Sequence, residues 1–303
     1  MTVKNGMEAD LQRLEEFAET RRADYAKGHP FAHIAIDDFV YPELLEEVLA
    51  EVENDFKITP QQLENALNEK TRLFMFSSPS NPTGGAYSKE ELLALGEVFK
   101  KYPNVHIISD EIYEHIRYEG THFSMAQIPA LYDRVITING VSKAFAMTGW
   151  RIGFLAANES IAKACAKMQG QFTSGASAIS QMASAAAMLA EPSDIKYMVD
   201  AFHARRTIMY DGLSAIDGFE CNNPVGAFYL FPRVSQLFGK QYEGGSIKNA
   251  QDLSMYLLQQ AHVATVPGDA FGADDYIRLS YAASEEDLHK AISRIKAAVE
   301  KLS

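Results

Sequence analysis

The sequence has few cysteines, a deficit of basic residues, and no apolar run long enough to cross a membrane. Cys165 and Cys221 stand far apart and form no metal-ligand pair, so we expect no metal site and a reduced cytoplasmic setting. Lysine and arginine number 28 against 40 aspartates and glutamates, for a net charge of -12. Proteins that bind nucleic acid carry a basic face. We therefore expect neither nucleic acid nor a membrane as a partner.

From about residue 54, alternating strand and helix patterns predict an α/β fold. Capping boxes that begin at Thr59 and Ser88 mark the first turns of two helices. The predicted strands cover residues 72–77, 105–109, 134–139 and 151–156. Continuous apolar strands separated by helices favour a mostly parallel sheet that is covered by helices on both faces, with the functional residues at the strand ends.

The rest of the chain predicts a second, smaller unit. Three helical stretches occupy residues 159–217, and a small α+β domain follows, with strands at 226–231, 263–266 and 276–281 and helices at 249–261 and 284–301. Near the amino terminus, helices are expected at 7–27 and 43–53 and a strand at 31–36. We therefore predict an N-terminal appendix over 1–53, a large domain over 54–217 and a small domain over 218–303.

One lysine, Lys143, lies in an apolar stretch punctuated by glycines, residues 139–153. Its neighbours Val141, Ala144 and Phe145 exclude water, and desolvation favours the uncharged amine by lowering the pKa of a lysine. A free amine is what a Schiff base requires. A lone lysine is more often an ordinary solvated loop residue, so this hypothesis depends on partners elsewhere in the chain.

Two other strand ends supply such partners for a pyridoxal phosphate cofactor. Asn81 follows the apolar strand 72–77, and Pro82 holds it extended. Asp110 follows the strand 105–109. An aspartate beside the pyridine nitrogen keeps that nitrogen protonated, which lets the ring act as an electron sink.

The motifs SNPTGG, SDEIYEHIRYEG, NGVSKAFAMTGWRIG, GAFYLFP and YIRLSYA occur in this order along the chain. In order and spacing they resemble the class I/II, fold-type I aminotransferases that depend on pyridoxal phosphate, and in particular the aspartate aminotransferases. The resemblance assigns a role to each of seven residues: Lys143 as the attachment lysine, Asp110 at the pyridine nitrogen, Tyr113 and Asn81 at the ring hydroxyl, Arg151 and Ser142 at the phosphate, and Arg278, with Asn81, at the substrate α-carboxylate. A planar guanidinium suits both oxyanions because it offers two parallel hydrogen bonds.

The resemblance implies transamination, with aspartate and 2-oxoglutarate as the substrates, in a homodimer. It also implies an incomplete large domain, because residues 1–53 take the place of a segment that in the family cradles the phosphate, stacks on the ring and contributes to the dimer. Impaired activity is therefore expected. The alternatives are a catalytically inactive remnant that acts as a binding or assembly protein, and another enzyme of the same cofactor class, such as a lyase.

Arg205 and Arg206 lie in a helical stretch. Two interpretations remain open at this point: one of them approaches the cofactor phosphate, or both lie on a solvated helix face.

Overall fold

A four-stranded sheet forms the first half of the part of the chain described by the computed structural model, residues 56–303. The helices predicted at 7–27 and 43–53 and the strand predicted at 31–36 lie outside the described residues. The strands are β1 Leu73–Ser77, β2 His106–Asp110, β3 Val135–Gly140 and β4 Gly153–Ala156, in the spatial order β1-β2-β3-β4. The first three are parallel and β4 is antiparallel to β3. The predicted mostly parallel α/β sheet is confirmed.

Two helices of this half begin where the sequence placed them. Helix α1 covers Pro60–Ala66 and helix α2 covers Lys89–Lys101. The Ser88 hydroxyl accepts a hydrogen bond from the amide of Glu91, whose carboxylate accepts one from the Ser88 amide at 2.7 Å, and Thr59 begins α1 in the same way. These contacts satisfy amides that have no partner within the helix.

The core of this half lies between α2 and the sheet. Leu92, Leu95 and Phe99 of α2 are almost fully buried and pack with Ile107 and Val135 of the strands. A helix face of this kind is stabilised mainly by the apolar area that it removes from water, at about 25 cal/mol per Å².

The two faces of β1 differ in their exposure to solvent. Phe74 and Phe76 point into the core, and the Phe74 ring lies 5.2 Å from that of Phe99. Leu73 and Met75, on the opposite face, are 51% and 71% exposed. Side chains alternate along a strand, so one face of β1 packs against the core while the other is exposed at these two residues.

The remaining elements follow in chain order. Helices α3 Glu159–Thr173, α4 Ala178–Met188 and α5 Pro192–Ser214 are succeeded by strands β5 Tyr229–Leu230, β6 Gln241–Tyr242 and β7 Gly245–Ser246, helix α6 Ala250–Tyr256 with a π-helical turn at Leu257–Ala261, strands β8 Val266–Pro267 and β9 Ile277–Ser280, and helix α7 Glu285–Val299. None of the helices in residues 56–303 is both long and apolar enough to span a bilayer.

A small antiparallel sheet with the order β5-β9-β8 lies in the C-terminal core. Leu230 and Ile277 of this sheet are fully buried together with Leu213 of α5 and Ile295 of α7. Helix α5 therefore contributes its C-terminal end to the same core as the strand that carries Arg278.

The turn after β1 depends on a glycine. Gly84 has φ +69°, and its carbonyl oxygen accepts hydrogen bonds from the amides of Val225 and Gly226, both at 3.0 Å. A Cβ at position 84 would lie 2.5 Å from the Cβ of Pro224 and 2.7 Å from the carbonyl oxygen of Gly226.

We expect Gly84→Ala to lower the free energy of unfolding by at least about 1 to 2 kcal/mol, which is the cost of a left-handed conformation for a residue with a Cβ. Denaturant unfolding measures this difference. Gly170→Ala is the control, because nothing lies within 4 Å of a Cβ there and the position is helical. That variant should be about 0.5 to 1 kcal/mol more stable than the parent. Equal changes in the two variants would contradict the packing argument.

Candidate active site

The ends of the parallel strands bring the predicted cofactor residues together. Asp110 is the last residue of β2 and pairs with Ser77 of β1 and Ile138 of β3. Ser142 and Lys143 follow directly after β3, which ends at Gly140. Parallel strands end at the same edge of a sheet, so residues from three separate stretches of sequence converge there.

Lys143 and Arg151 lie on a single hairpin loop between β3 and β4. Gly140 and Gly153 face each other at the base of the loop, and a Cβ on Gly140 would lie 2.8 Å from the Ile152 carbonyl oxygen. Arg151 has φ 56° and donates from Nη1 to the Thr148 carbonyl oxygen at 2.9 Å. The spacing of eight residues between Lys143 and Arg151 thus corresponds to the loop that connects β3 to β4.

A pocket of about 350 Å³ opens at this edge of the sheet, and we call it the lysine pocket. Four residues that the sequence assigns to the cofactor line it, namely Asp110, Ser142, Lys143 and Arg151. The other lining residues are Ile112, Ile138, Asn139, Thr148, Ile152 and Gly153. A volume above about 300 Å³ is in the range of small-molecule sites.

Lys143 is half-buried in the setting that the sequence indicated. Val141 and Ala144 on either side of it are buried. Its Nζ lies 5.8 Å from the ring centres of both Tyr113 and Phe228. Aromatic faces at this distance attract a cation, so the two rings favour this position of the amine at the ends of the parallel strands.

Asp110 is a half-buried carboxylate. Burial raises its pKa above the ordinary value, against the opposing effects of a hydrogen bond from the Ile112 amide at 3.1 Å and of the positive charge of Lys143. Within residues 56–303 no lysine, arginine or histidine forms a salt bridge with it. A partly desolvated carboxylate of this kind is stabilised by a ligand that presents a protonated nitrogen.

Tyr113 joins the lysine pocket to the C-terminal part of the site. It is 3% exposed, and its hydroxyl lies 2.9 Å from the hydroxyl of Tyr229. Burial, followed by the hydrogen bond with Tyr229, raises the pKa of Tyr113 well above its ordinary value. The phenol therefore stays protonated over the working range of an enzyme and can donate a hydrogen bond.

Arg278 and Asn81, the two predicted substrate-binding residues, are in direct contact. Arg278 Nη1 donates to Asn81 Oδ1 at 2.7 Å, and its guanidinium carbon lies 4.6 Å from the Tyr229 ring centre and 5.0 Å from that of Phe271. Stacking between two rings fixes the plane of the guanidinium, which is the condition for a forked contact with a carboxylate. Together with Tyr113, these contacts join all seven predicted residues into one continuous site.

Sequence reasoning missed Tyr229 and Phe228, although both lie in the quoted motif GAFYLFP. Tyr229 pairs with Ser280 of β9, two positions beyond Arg278. The strands at 226–231 and 276–281 were predicted, but their pairing was not, and only that pairing shows that an aromatic ring lies beneath the arginine.

Neither interpretation of the Arg205 and Arg206 pair describes Arg206. Its side chain is buried, with the guanidinium bonded to Asn223 Oδ1 and 2.7 Å from His203 Nε2. It does not line the lysine pocket. The solvated helix face is wrong for this residue because the guanidinium finds polar partners inside the C-terminal half.

The donor set fits pyridoxal phosphate. The amine of Lys143 suits the aldehyde, the half-buried carboxylate of Asp110 suits the pyridine nitrogen, and Arg151 with the hydroxyls of Ser142 and Thr148 suits the phosphate. An α/β sheet that carries these groups at the ends of its parallel strands has the features of a site for pyridoxal phosphate.

Comparison with known proteins places the chain in a family. Residues 44–295 match the profile of the family described as aminotransferase class I and II, and the chain belongs to that family. It is 47% identical over 253 residues to a bifunctional aspartate aminotransferase and glutamate/aspartate-prephenate aminotransferase of Petunia hybrida, which covers 82% of this chain and 53% of the relative.

Solved structures show the same relationship. The aspartate aminotransferase of Rhizobium meliloti superposes with a TM-score of 0.78 at 45% identity, over 82% of this chain and 63% of that protein. The aspartate aminotransferase of Thermus thermophilus with maleate superposes with a TM-score of 0.74 at 36% identity, over 81% and 62%. The chain thus spans about half to under two thirds of the length of these relatives.

Proposed function

We propose that the chain binds pyridoxal phosphate at the lysine pocket and catalyses transamination between aspartate and 2-oxoglutarate. The observation that supports the proposal best is the half-buried Asp110 carboxylate, without a salt bridge in residues 56–303, in one pocket with the amine of Lys143. The choice of aspartate rests on the names of the Petunia, Rhizobium and Thermus relatives. Family resemblance also favours a homodimer in the cytoplasm.

Each residue of the site has a separate task in this reaction. Bound pyridoxal phosphate would supply an electron sink for the negative charge that develops at the substrate α-carbon. The negative charge of Asp110 would keep the ring nitrogen protonated, and the Tyr113 hydroxyl would donate a hydrogen bond to the ring oxygen. Arg151 and Ser142 bind the phosphate. Lys143 would hold the cofactor and, once the substrate amine has displaced it, would take and return the proton of the α-carbon as a free amine.

Arg278 orients the substrate. Its guanidinium, stacked on Tyr229, presents two parallel donors to the α-carboxylate, while Asn81 already accepts one of the arginine's other hydrogen bonds. Holding the carboxylate in this way fixes the direction of the α-carbon–hydrogen bond relative to Lys143, and orientation of reacting groups is a large part of enzymatic rate enhancement.

The test is an assay of the full chain with added pyridoxal phosphate, aspartate and 2-oxoglutarate, in which glutamate and oxaloacetate are measured. Prephenate should be offered as a second amino acceptor, because the name of the Petunia relative includes it. Formation of glutamate and oxaloacetate in equal amounts supports the proposal. A bound cofactor that absorbs visible light without turnover would favour the inactive binding protein instead.

We further propose that the affinity for the cofactor is lower than that of the longer relatives, which would impair activity. Among residues 56–303, the groups in the lysine pocket that suit the phosphate are Arg151, Ser142 and Thr148. Titration of the apoprotein with pyridoxal phosphate, followed by absorbance and run beside the Rhizobium enzyme, should give half-saturation at a higher concentration for this chain. Equal affinities would contradict this proposal.

A further inference from the structure

A side-chain contact joins the two turns that carry Asp110 and Lys143. Asn139, the penultimate residue of β3, donates from Nδ2 to Glu114 Oε1 at 2.7 Å. Glu114 follows Tyr113 in the turn after β2. The pair therefore connects the segment that holds the carboxylate and the phenol to the segment that leads into the lysine loop.

Asn139 transmits this contact directly to the lysine loop. Its Oδ1 accepts a hydrogen bond from the Gly140 amide at 2.7 Å, so both polar ends of the side chain are engaged. The residue is 9% exposed and lines the lysine pocket. A Cβ on Gly140 would lie 2.8 Å from the Ile152 carbonyl oxygen and 3.2 Å from Ile112 Cδ1, so the base of the loop is closely packed there. Movement of Asn139 would thus move the base of the loop that holds Lys143.

Glu114 also lies close to a group of charged and polar side chains. His122 Nε2 lies 3.9 Å from Glu114 Oε2 and 2.9 Å from Glu111 Oε2. Glu111 is 3% exposed, and its Oε1 accepts hydrogen bonds from Ser109 at 2.9 Å and Ser124 at 2.6 Å. Both carboxylate oxygens of Glu111 are thus engaged, and buried groups that are hydrogen-bonded in this way are held in a specific geometry.

We propose that Glu114 and Asn139 are positioning residues, which fix the distance between Lys143 and the pair Asp110 and Tyr113. Both polar atoms of the Asn139 side chain are engaged by protein groups, so the effect of the contact on the lysine pocket passes through the lysine loop. The consequence for cofactor binding rests on the proposed function, whereas the consequence for the loop does not. Asn is required at position 139 because it must donate to a carboxylate and accept from a backbone amide at the same time.

A reciprocal exchange of the two side chains tests the pair. Asn139→Asp alone places two carboxylates at hydrogen-bond distance, which disfavours the contact. Glu114→Gln with Asn139→Asp restores a hydrogen bond in the opposite direction, because the glutamine amide donates and the aspartate still accepts from Gly140. Asn139→Ala, which introduces no repulsion, is a second way of removing the contact.

The first measurement is hydrogen exchange of residues 140–147 in the absence of cofactor. We expect exchange of the Gly140 amide to be about tenfold faster in Asn139→Asp and in Asn139→Ala, and to return to within about threefold of the parent in the double variant. Unchanged exchange in the single variants, or no recovery in the double variant, would overturn the proposal.

The second measurement is titration with pyridoxal phosphate, followed by the visible absorption of the bound form. Affinity should fall at least about tenfold in Asn139→Asp and recover in the double variant, which corresponds to one charge-assisted hydrogen bond lost and regained. A general loss of stability would not recover in this reciprocal manner. Failure of the parent to transaminate, with the exchange pattern intact, would refute the proposed function and leave the positioning role standing.

Matched controls use the same chemical changes at exposed sites. Glu97 pairs with Lys100 on the surface of α2, and Asn65 on α1 accepts from Gln61 at 2.9 Å. Glu97→Gln and Asn65→Asp should alter neither the exchange of residues 140–147 nor the cofactor titration. An effect in these controls as large as in Asn139→Asp would show that the response is not specific to the contact.

Discussion

Lys143→Ala is expected to abolish attachment of pyridoxal phosphate and with it the visible absorption of the protein. The amine of Lys143 is the proposed attachment group in the lysine pocket, and it lies 5.8 Å from the ring centres of Tyr113 and Phe228. Loss of a group that also transfers the α-proton should reduce turnover by about 10²- to 10⁴-fold through the acid–base role alone. Borohydride reduction followed by peptide mass mapping measures the attachment, and a stopped assay measures turnover.

Lys163→Ala is the matched control, because this lysine is 75% exposed and pairs with Glu159 one turn away on α3. It should keep full attachment and turnover. A reduced cofactor found on any lysine other than Lys143, or undiminished labelling of Lys143→Ala, would refute the assignment of the attachment residue.

Arg278→Lys should weaken the binding of aspartate while attachment of the cofactor is retained. An ammonium group offers a carboxylate a point charge in place of the two parallel donors of a guanidinium. The loss of one charge-assisted hydrogen bond costs about 1.5 to 3 kcal/mol, which corresponds to roughly a 10- to 150-fold increase in KM. Steady-state kinetics with aspartate as the varied substrate measures this change, and the cofactor titration is run in parallel.

Arg233→Lys is the control for this substitution, because Arg233 is exposed and pairs with Asp275 at 2.8 Å. KM should stay unchanged there. The lysine pocket does not include Arg278, so an equal loss of cofactor and substrate affinity in Arg278→Lys would show that the arginine has a structural role.

The elements of the fold were predictable where the sequence carries local signals. The capping boxes at Thr59 and Ser88 place the first turns of α1 and α2 because they depend on residues three positions apart. The strands of the main sheet fall within two residues of their predicted starts, since each is an apolar run bounded by polar residues. The convergence of Asp110 and Lys143 follows from the parallel arrangement alone.

Contacts between distant parts of the chain were not predictable in this way. The hydrogen bond between Arg278 and Asn81 joins residues 197 positions apart, and the contact between Tyr113 and Tyr229 spans 116. Nothing in either local pattern specifies the other partner. The burial of Arg206 was missed for the same reason, because its partner Asn223 lies in a loop beyond the helix.

The line of contacts from Asn81 through Arg278 and Tyr229 to Tyr113 has a consequence for the history of the chain. Each of the inner members touches two others, so the effect of a substitution at one position depends on the residue present at the next, and energies of neighbouring changes do not add. A substitution at Tyr229 would alter the effect of every later substitution at Tyr113 and Arg278. These four positions are therefore expected to evolve as a unit, with tolerated changes arising in pairs and in a particular order.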